Sequence, residues 1–457
     1  MNNSPLLKRN GARIRSELND LKRTPESCAR ELRIETSAVE RVLEGNCSVD
    51  DMRALVARIG DYYPVDEADL LLHEDGSTSG VIIMRAADSA ASSRVFERLD
   101  RHGARTPYYE YRDTVMSRLA QFKPEWIREL RVVDDNDPNN PDVAYNRGHF
   151  MHQLTFFIGP VNFYYEVDGQ KHCAVMNTGD SNYIMPFFQH SFASRAANQT
   201  ALIIAVTFGG DVQRAQKEFY SLADRAMRYY IDGRQPGRAA QIELIKQHMA
   251  NECMNRSRLE ALLASQQPPV DVDKLFDPNA VVSGGLLETV AGVLNVNAYD
   301  LMMPEYRDGQ DVMVKPHDEA EGYSYPSADR KRYRLFPLVR NPHMPGVKAF
   351  DIEVCATECD VKDGFENSLH TYIYNYSDYA VQVDWESDGG AHHDVFGPGD
   401  SVYVSPFVRY SFANMDARAG RLLSVSIPGA INLATQRELS CFADVQRVAG
   451  ETRQWFD

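Results

Sequence analysis

Apolar residues recur every three to four positions between residues 10 and 72, the period of helices with one buried face. Thr24-Pro25 reads as an N-cap with a first-turn proline, Thr36-Ser37 opens a further helix, and Gly45 closes it. The β-branched run Gly80-Val-Ile-Ile-Met-Arg85 marks the first strand, and strands are expected as far as Ala205-Val-Thr-Phe208. A long amphipathic helix is predicted over 213–231, ending at Asp232-Gly233 before a polar break at Arg234-Gln235-Pro236-Gly237. Beyond the break the order returns, with helical spacing across 238–303 and then strands from Val312 to about Ser426.

The return is visible in the residues themselves. Gly179-Asp-Ser-Asn-Tyr-Ile-Met-Pro-Phe-Phe-Gln-His-Ser-Phe-Ala193 matches Gly399-Asp-Ser-Val-Tyr-Val-Ser-Pro-Phe-Val-Arg-Tyr-Ser-Phe-Ala413 at nine of fifteen positions. Likewise Val65-Asp-Glu-Ala-Asp-Leu-Leu-Leu-His-Glu74 resembles Val296-Asn-Ala-Tyr-Asp-Leu-Met-Met-Pro-Glu305, each leading into a strand. The expected class is therefore α+β, a tandem repeat of a small helix-turn-helix-like module followed by a β-barrel. The segments are a helical module (1–78), a barrel (79–212), a connecting helix and linker (213–237), a second helical module (238–308), a second, degenerate barrel (309–430) and a C-terminal segment (431–457).

Two stretches carry candidate chemistry. The first is Asn146-Arg-Gly-His149 and its sequel: the run His149-Phe-Met-His-Gln-Leu-Thr-Phe-Phe-Ile158 is rich in aromatics and Thr and close to glycines, so a strand is expected over 149–158. Alternation then puts His149, Met151 and Gln153 on one face and turns His152, a structural residue on this reading, to the other. The second stretch is a Gly179-Asp180 turn, a short strand, a bend at Pro186 and then His190. This order resembles the two cupin motifs, with His149, Gln153 and His190 in the ligand places and Gln where most cupins carry Glu. Two imidazoles and a third neutral or anionic donor on one side of iron leave positions for substrate and dioxygen. In the second repeat Tyr410 stands where His190 does and no His/acid strand precedes it, although His370 lies in the right region, so no metal is expected there.

Composition narrows the partners. With 49 Lys and Arg against 65 Asp and Glu the net charge is −16, which argues against a nucleic-acid surface while allowing a locally basic pocket for a small anion. The helix-turn-helix-like segment itself holds no basic recognition face, since Glu40 and Glu44 flank Arg41. Seven scattered cysteines make no disulfide framework, and Cys355 and Cys359 lack a second pair at zinc-site spacing. No apolar run approaches a membrane span and the first ten residues lack a signal core, so a cytoplasmic protein without a membrane partner is expected.

A helical module followed by a cupin, both duplicated, resembles the phosphonate-processing non-haem iron cupin oxygenases along nearly the whole chain. The pieces that carry this are Arg101-His102-Gly103, Tyr108-Tyr109-Glu110-Tyr111, Asn146-Arg147-Gly148-His149, and Pro186 with His190. Members with a carboxylate ligand place it four residues after the first His or six before the last; here those positions are Gln153 and Ile184, a pattern similar to the methylphosphonate-forming branch. The resemblance implies an Fe(II)- and O2-dependent enzyme that cleaves the carbon–carbon bond of 2-hydroxyethylphosphonate to methylphosphonate and an oxidised one-carbon product, in a homo-oligomer. The family's other outcome, hydroxymethylphosphonate plus formate, stays open, as does a cupin ligand-sensing transcription regulator. The resemblance also assigns phosphonate binding to Lys22, Arg101, Tyr111 and Asn146, with Arg105 an alternative to Arg101 and Arg23 to Lys22, and puts Ile184 beside the metal ligands.

Overall fold

The computed structural model describes residues 5–450 apart from 74, 75, 78, 236, 267, 268, 305, 307, 308 and 388. Glu74 and Glu305 of the repeated segment, Pro236 of the linker, positions 78 and 308 at two expected boundaries, and 451–457 thus lie outside the described residues. Helices and sheets alternate in blocks. The first block is α1 (Pro5–Asp20), α2 (Pro25–Leu32), α3 (Thr36–Leu43) and α4 (Val49–Tyr62), closed over Ile14, Val39 and Ile59. Thr24 caps α2 by accepting the Ser27 N–H at 3.2 Å, and Pro25 occupies the first turn. A later block, including Gly237–Asn251, Arg256–Ala264 and Gly284–Leu294, closes over Ile245, Leu259 and Leu294. No described helix is long and apolar enough to cross a membrane.

The single helix expected over 213–231 is broken into Asp211–Arg214, Gln216–Leu222 and a 3-10 segment, Ala223–Tyr229, with Ala223 at a φ of 46°. Its apolar residues Tyr220, Met227 and Tyr229 are exposed, so no packed face holds a longer helix together.

The strands of the first half are β1 (Val81–Met84), β2 (Arg94–Leu99), β3 (Arg105–Asp113), β4 (Phe122–Glu129), β5 (His152–Ile158), β6 (Val161–Val167), β7 (Gln170–Met176), β8 (Ser181–Ile184), β9 (His190–Ser194) and β10 (Leu202–Phe208). Those of the second are β11 (Val312–Lys315), β12 (Tyr323–Pro326), β13 (Lys331–Pro337), β14 (Lys348–Val354), β15 (His370–Asn375), β16 (Val381–Ser387), β17 (Gly390–Phe396), β18 (Ser401–Val404), β19 (Arg409–Asn414) and β20 (Arg421–Ile427). The expected closed barrels are not formed. The strands instead make two seven-stranded sheets, β11-β8-β5-β10-β4-β3-β2 and β1-β18-β15-β20-β14-β13-β12, and two three-stranded sheets, β7-β6-β9 and β17-β16-β19. The edge of β8 that a closing strand would need is taken by β11, and Met185, next along, donates its N–H to the Asp311 carbonyl at 2.9 Å.

Each half thus gives its first strand to the other. Val312 pairs with Ile184 and Lys315 with Ser181, while Val81 pairs with Val404 and Met84 with Ser401, both antiparallel. The two large sheets also share a core, in which Leu154, Phe156, Val206 and Phe208 pack with Tyr372, Tyr374, Leu423 and Val425. A buried polar cluster adds to the tie: fully buried Asp351 accepts from Tyr376 Oη at 2.6 Å and pairs with Arg421 and His317, whose own N–H donates to Asp180 Oδ1 at 2.7 Å.

Exchanged strands and one shared core predict that the halves unfold together. Urea unfolding of variants that keep only Trp126, in the first half, or only Trp385, in the second, should give coincident fluorescence midpoints; separated midpoints would show that the halves are independent.

Candidate metal centre and anion pocket

Strand β5 begins at His152 and not at His149, so the first candidate ligand comes from the preceding loop. Gly148 makes that loop: its φ is +73°, and a Cβ there would lie 2.4 Å from the Phe187 carbonyl carbon. The close approach lets the Phe187 N–H donate to the His149 carbonyl at 2.9 Å, clamping the His149 loop to the bend after β8. His149, Met151 and Gln153 all line one cavity of about 230 Å³, together with His190 at the start of β9. His152 faces away, stacked on Phe208 with Nδ1 2.8 Å from Tyr183 Oη.

The hydrogen bonds fix which atoms face the cavity. His149 Nδ1 lies 3.0 Å from the Met151 carbonyl and His190 Nδ1 2.9 Å from the Phe188 carbonyl. A carbonyl can only accept, so in each neutral ring Nδ1 carries the proton and Nε2 keeps its lone pair. Gln153 Nε2 donates to Thr155 Oγ1 at 2.8 Å, which turns Oε1 toward His149 Nε2 at 3.1 Å. Two acceptors therefore face each other, and the His149 and His190 ring centroids are 5.2 Å apart. That is the arrangement a divalent cation relieves, since donors about 2.1 Å from one metal at a right angle stand about 3.0 Å apart. The residues present fit Fe(II) as two imidazoles and an amide oxygen; among the described residues no three His, Cys, Asp or Glu stand together.

Asn146 is a brace for this set as well as a cavity wall. Its Oδ1 accepts the N–H groups of Gly148 at 2.9 Å and His190 at 3.0 Å, and its Nδ2 reaches His190 Nε2 at 2.9 Å. Tyr111 lines the same cavity, and burial, with Glu125 and Glu129 adding, raises its phenol well above the ordinary value, so it is a neutral donor. Ile184 is fully buried, opposite Gln153 on β8, and puts no polar atom beside the amide.

The basic residues fall out differently from the sequence expectation. Arg101 does not line the cavity; it is about half exposed and its Nε donates to Asp142 at 2.6 Å. Neither does Arg105, nor Lys22, which is exposed on the helical block with Nζ 3.3 Å from the Asp20 carbonyl. Arg98 on β2 and Lys123 on β4 line it instead. The sequence signal for Arg98 was weak, because β2 and β3 shift register between Phe96 and Glu97. Glu125 shares the cavity, its carboxyl pushed up by burial, with Arg94 opposing and Asp113 adding.

In the second half the matching interior is filled. Phe365 stacks on Tyr410 at 5.3 Å and on Tyr325 at 5.1 Å, and fully buried Tyr333 donates its hydroxyl to the Phe412 carbonyl.

No protein-family model matches the chain. Methylphosphonate synthase of Nitrosopumilus maritimus (strain SCM1) is 37% identical over 458 residues, covering 98% of this chain and 96% of the relative. The chain belongs to the methylphosphonate synthase family. Consistent with that family, a solved structure of Streptomyces albus HEPD with 2-hydroxyethylphosphonate and Fe(II) bound superposes with a TM-score of 0.88, at 32% identity over 99% of both chains. A PhpD structure with cadmium atoms shares the fold at a TM-score of 0.72 and 16% identity, over 96% of this chain and 98% of its own.

Burial holds the His190 imidazole down to about 4, with the Phe188 carbonyl opposing and His149 adding, and burial alone holds His152 down to about 4. The unfolded chain takes up these protons near pH 6.5 and the folded, metal-free protein only near pH 4. Stability should therefore be full above about pH 6.5 and fall as pH drops toward 4, by on the order of 3 kcal/mol per histidine. Urea midpoints of metal-free protein between these limits measure the slope, which His152→Phe should flatten; an unchanged slope in that variant would refute the assignment.

Proposed function

We propose that this chain catalyses Fe(II)- and O2-dependent oxidative cleavage of the carbon–carbon bond of 2-hydroxyethylphosphonate, giving methylphosphonate and an oxidised one-carbon product. The observation that carries the reading is the facing pair of lone pairs on His149 and Gln153, with His190 beside them, in a chain of this family. Iron held by His149, Gln153 and His190 would supply the one-electron chemistry that dioxygen needs to react with an alkyl substrate. One O2 balances the reaction when the second carbon leaves as CO2 with one water. It balances equally for hydroxymethylphosphonate plus formate, a second reading favoured by the 32% identity to HEPD.

The remaining roles follow from the cavity walls. Arg98 and Lys123 are the cations on offer to a phosphonate dianion, with Asn146 and Tyr111 as neutral donors. Arg98 takes the part expected of Arg101, whose guanidinium is engaged by Asp142. We also read the chain as the segments 1–78, 79–212, 213–237, 238–308, 309–430 and 431–457, a duplicated helical module plus cupin-like unit whose halves exchange first strands.

Arg98→Ala should raise the KM for 2-hydroxyethylphosphonate by roughly tenfold or more, on the order of 1.5–3 kcal/mol for a charge-assisted bond. Arg101→Ala should change it less than threefold; the reverse ranking in steady-state kinetics would return the role to Arg101.

Product identity tests the whole reading. Methylphosphonate forms only if hydrogen reaches the phosphonate-bearing carbon, so the one-carbon fragment must be kept in the cavity beside it. A neutral Gln153 adds no anion to compete with that fragment. Gln153→Glu should slow turnover and shift product toward hydroxymethylphosphonate, with Ile184→Glu as the parallel case from the next strand. Phosphorus NMR of anaerobically iron-loaded enzyme given substrate and then air reads the ratio. Hydroxymethylphosphonate as the main wild-type product would favour the second reading, and unchanged substrate would sink both.

A further inference from the structure

We infer that Thr155 is a positioning residue for the metal site: its hydroxyl sets the flip of the Gln153 amide, so that oxygen and not nitrogen faces His149 and the cation. The inference rests on the reading of Gln153 as a ligand. An amide side chain is nearly symmetric in shape, and its two ends differ by whether they offer a lone pair or hydrogens. Only the oxygen can bind a metal, so a site that uses Gln where a carboxylate would serve needs something to choose the end. A carboxylate has no such requirement, because its two oxygens are equivalent.

Thr155 is suited to that choice. It lies two residues along β5 from Gln153, on the same face of the sheet, and is fully buried. Gln153 is 5% exposed, and its Nε2 donates to Thr155 Oγ1 at 2.8 Å. Among the described residues Nε2 has no other hydrogen-bond partner. Of the side chains flanking it in register, Ile184 offers no polar atom and Thr207 directs its hydroxyl to the Lys123 carbonyl at 3.2 Å. A buried N–H without an acceptor is costly, so removing Oγ1 leaves the amide free to flip toward whatever acceptor remains, and His149 Nε2 is one at 3.1 Å.

The duplicated half is an internal control. His152 and His370 occupy matching places, each opening its strand with Nδ1 against a tyrosine hydroxyl, at 2.8 Å and 2.7 Å. On that alignment Gln153 corresponds to Thr371 and Thr155 to Ile373, and the neighbouring strand registers agree, with Thr155 opposite Asn182 and Ile373 opposite Val402. Where there is no amide ligand to orient, the position is aliphatic.

The test is anaerobic Fe(II) affinity, measured by competition with a chromophoric chelator, in wild type, Thr155→Val, Gln153→Glu and the double variant. Thr155→Val should weaken Fe(II) binding by about 10–100-fold with Gln153 present, the usual effect of losing a partner behind a ligand. In the Gln153→Glu background the same change should cost less than threefold, and Thr155→Ser should stay within threefold of wild type. Equal losses in both backgrounds, or no loss with Gln153 present, would overturn the inference. If Thr155→Val does not fold, judged by its thermal transition without metal, Thr155→Ala and Thr155→Ser are compared instead: loss in Ala with retention in Ser supports it, and equal affinities overturn it. Unchanged affinity in Gln153→Ala would instead remove Gln153 from the ligand set and take the inference with it.

Discussion

Backbone hydrogen bonds between Val312–Lys315 and Ser181–Ile184 carry the second half of the chain into the first large sheet, and the geometry of the candidate metal centre depends on that pairing. One row of the sheet runs Lys123, Thr207, Gln153, Ile184, Val312 across five strands. Without β11, β8 would be an edge strand, and Ile184 would present an unpaired backbone one strand away from the Gln153 amide. With it, Gln153 sits two strands inside the sheet edge, where its side chain is held on both flanks. A ligand that must present one end of an amide gains more from such rigidity than a carboxylate would.

The same scaffold in the second half shows what the positions do when chemistry is not required. Tyr410 stands at the place of His190, Thr371 at that of Gln153, and Phe365, Tyr325 and Tyr333 fill the space with stacked rings. Aromatic packing there buries apolar area, whereas the first half keeps a cavity of about 230 Å³ lined by polar groups. The second half therefore contributes packing and a strand, and the first bears the cost of the site.

Much of this was legible in the residues. The Gly179-Asp180 turn, the short strand, the bend at Pro186 and His190 at the head of the next strand could be read because each rests on local turn chemistry, and the nine matches to Gly399–Ala413 paired the stretches that form β8–β9 and β18–β19. The face shared by His149, Met151 and Gln153 was also read from alternation, although His149 lies in the loop before the strand. What was not legible depends on contacts distant in sequence. Closure into a barrel or separation into two sheets is decided by which strand takes the edge of β8, and that strand lies more than a hundred residues away. That Arg98 lines the cavity and Arg101 does not depends on the register shift in β2–β3, and the break of the 213–231 helix follows from the lack of a packing surface, which periodicity does not record.

Charge connects the pocket to the rest of the molecule. The chain carries a net −16, yet salt at physiological strength screens surface charges beyond about 8 Å, so a ligand in the cavity responds to its walls and not to the distant surface. Those walls offer Arg98 and Lys123 against one carboxyl, Glu125, whose ionised form burial disfavours. On the proposed reading, a dication held by three neutral donors keeps its full charge for the substrate, one unit more than with a carboxylate ligand. A phosphonate dianion can then be neutralised at the metal end alone, which lets the two exposed cations at the wall act in capture and orientation while Tyr111 and Asn146 supply hydrogen bonds without adding charge.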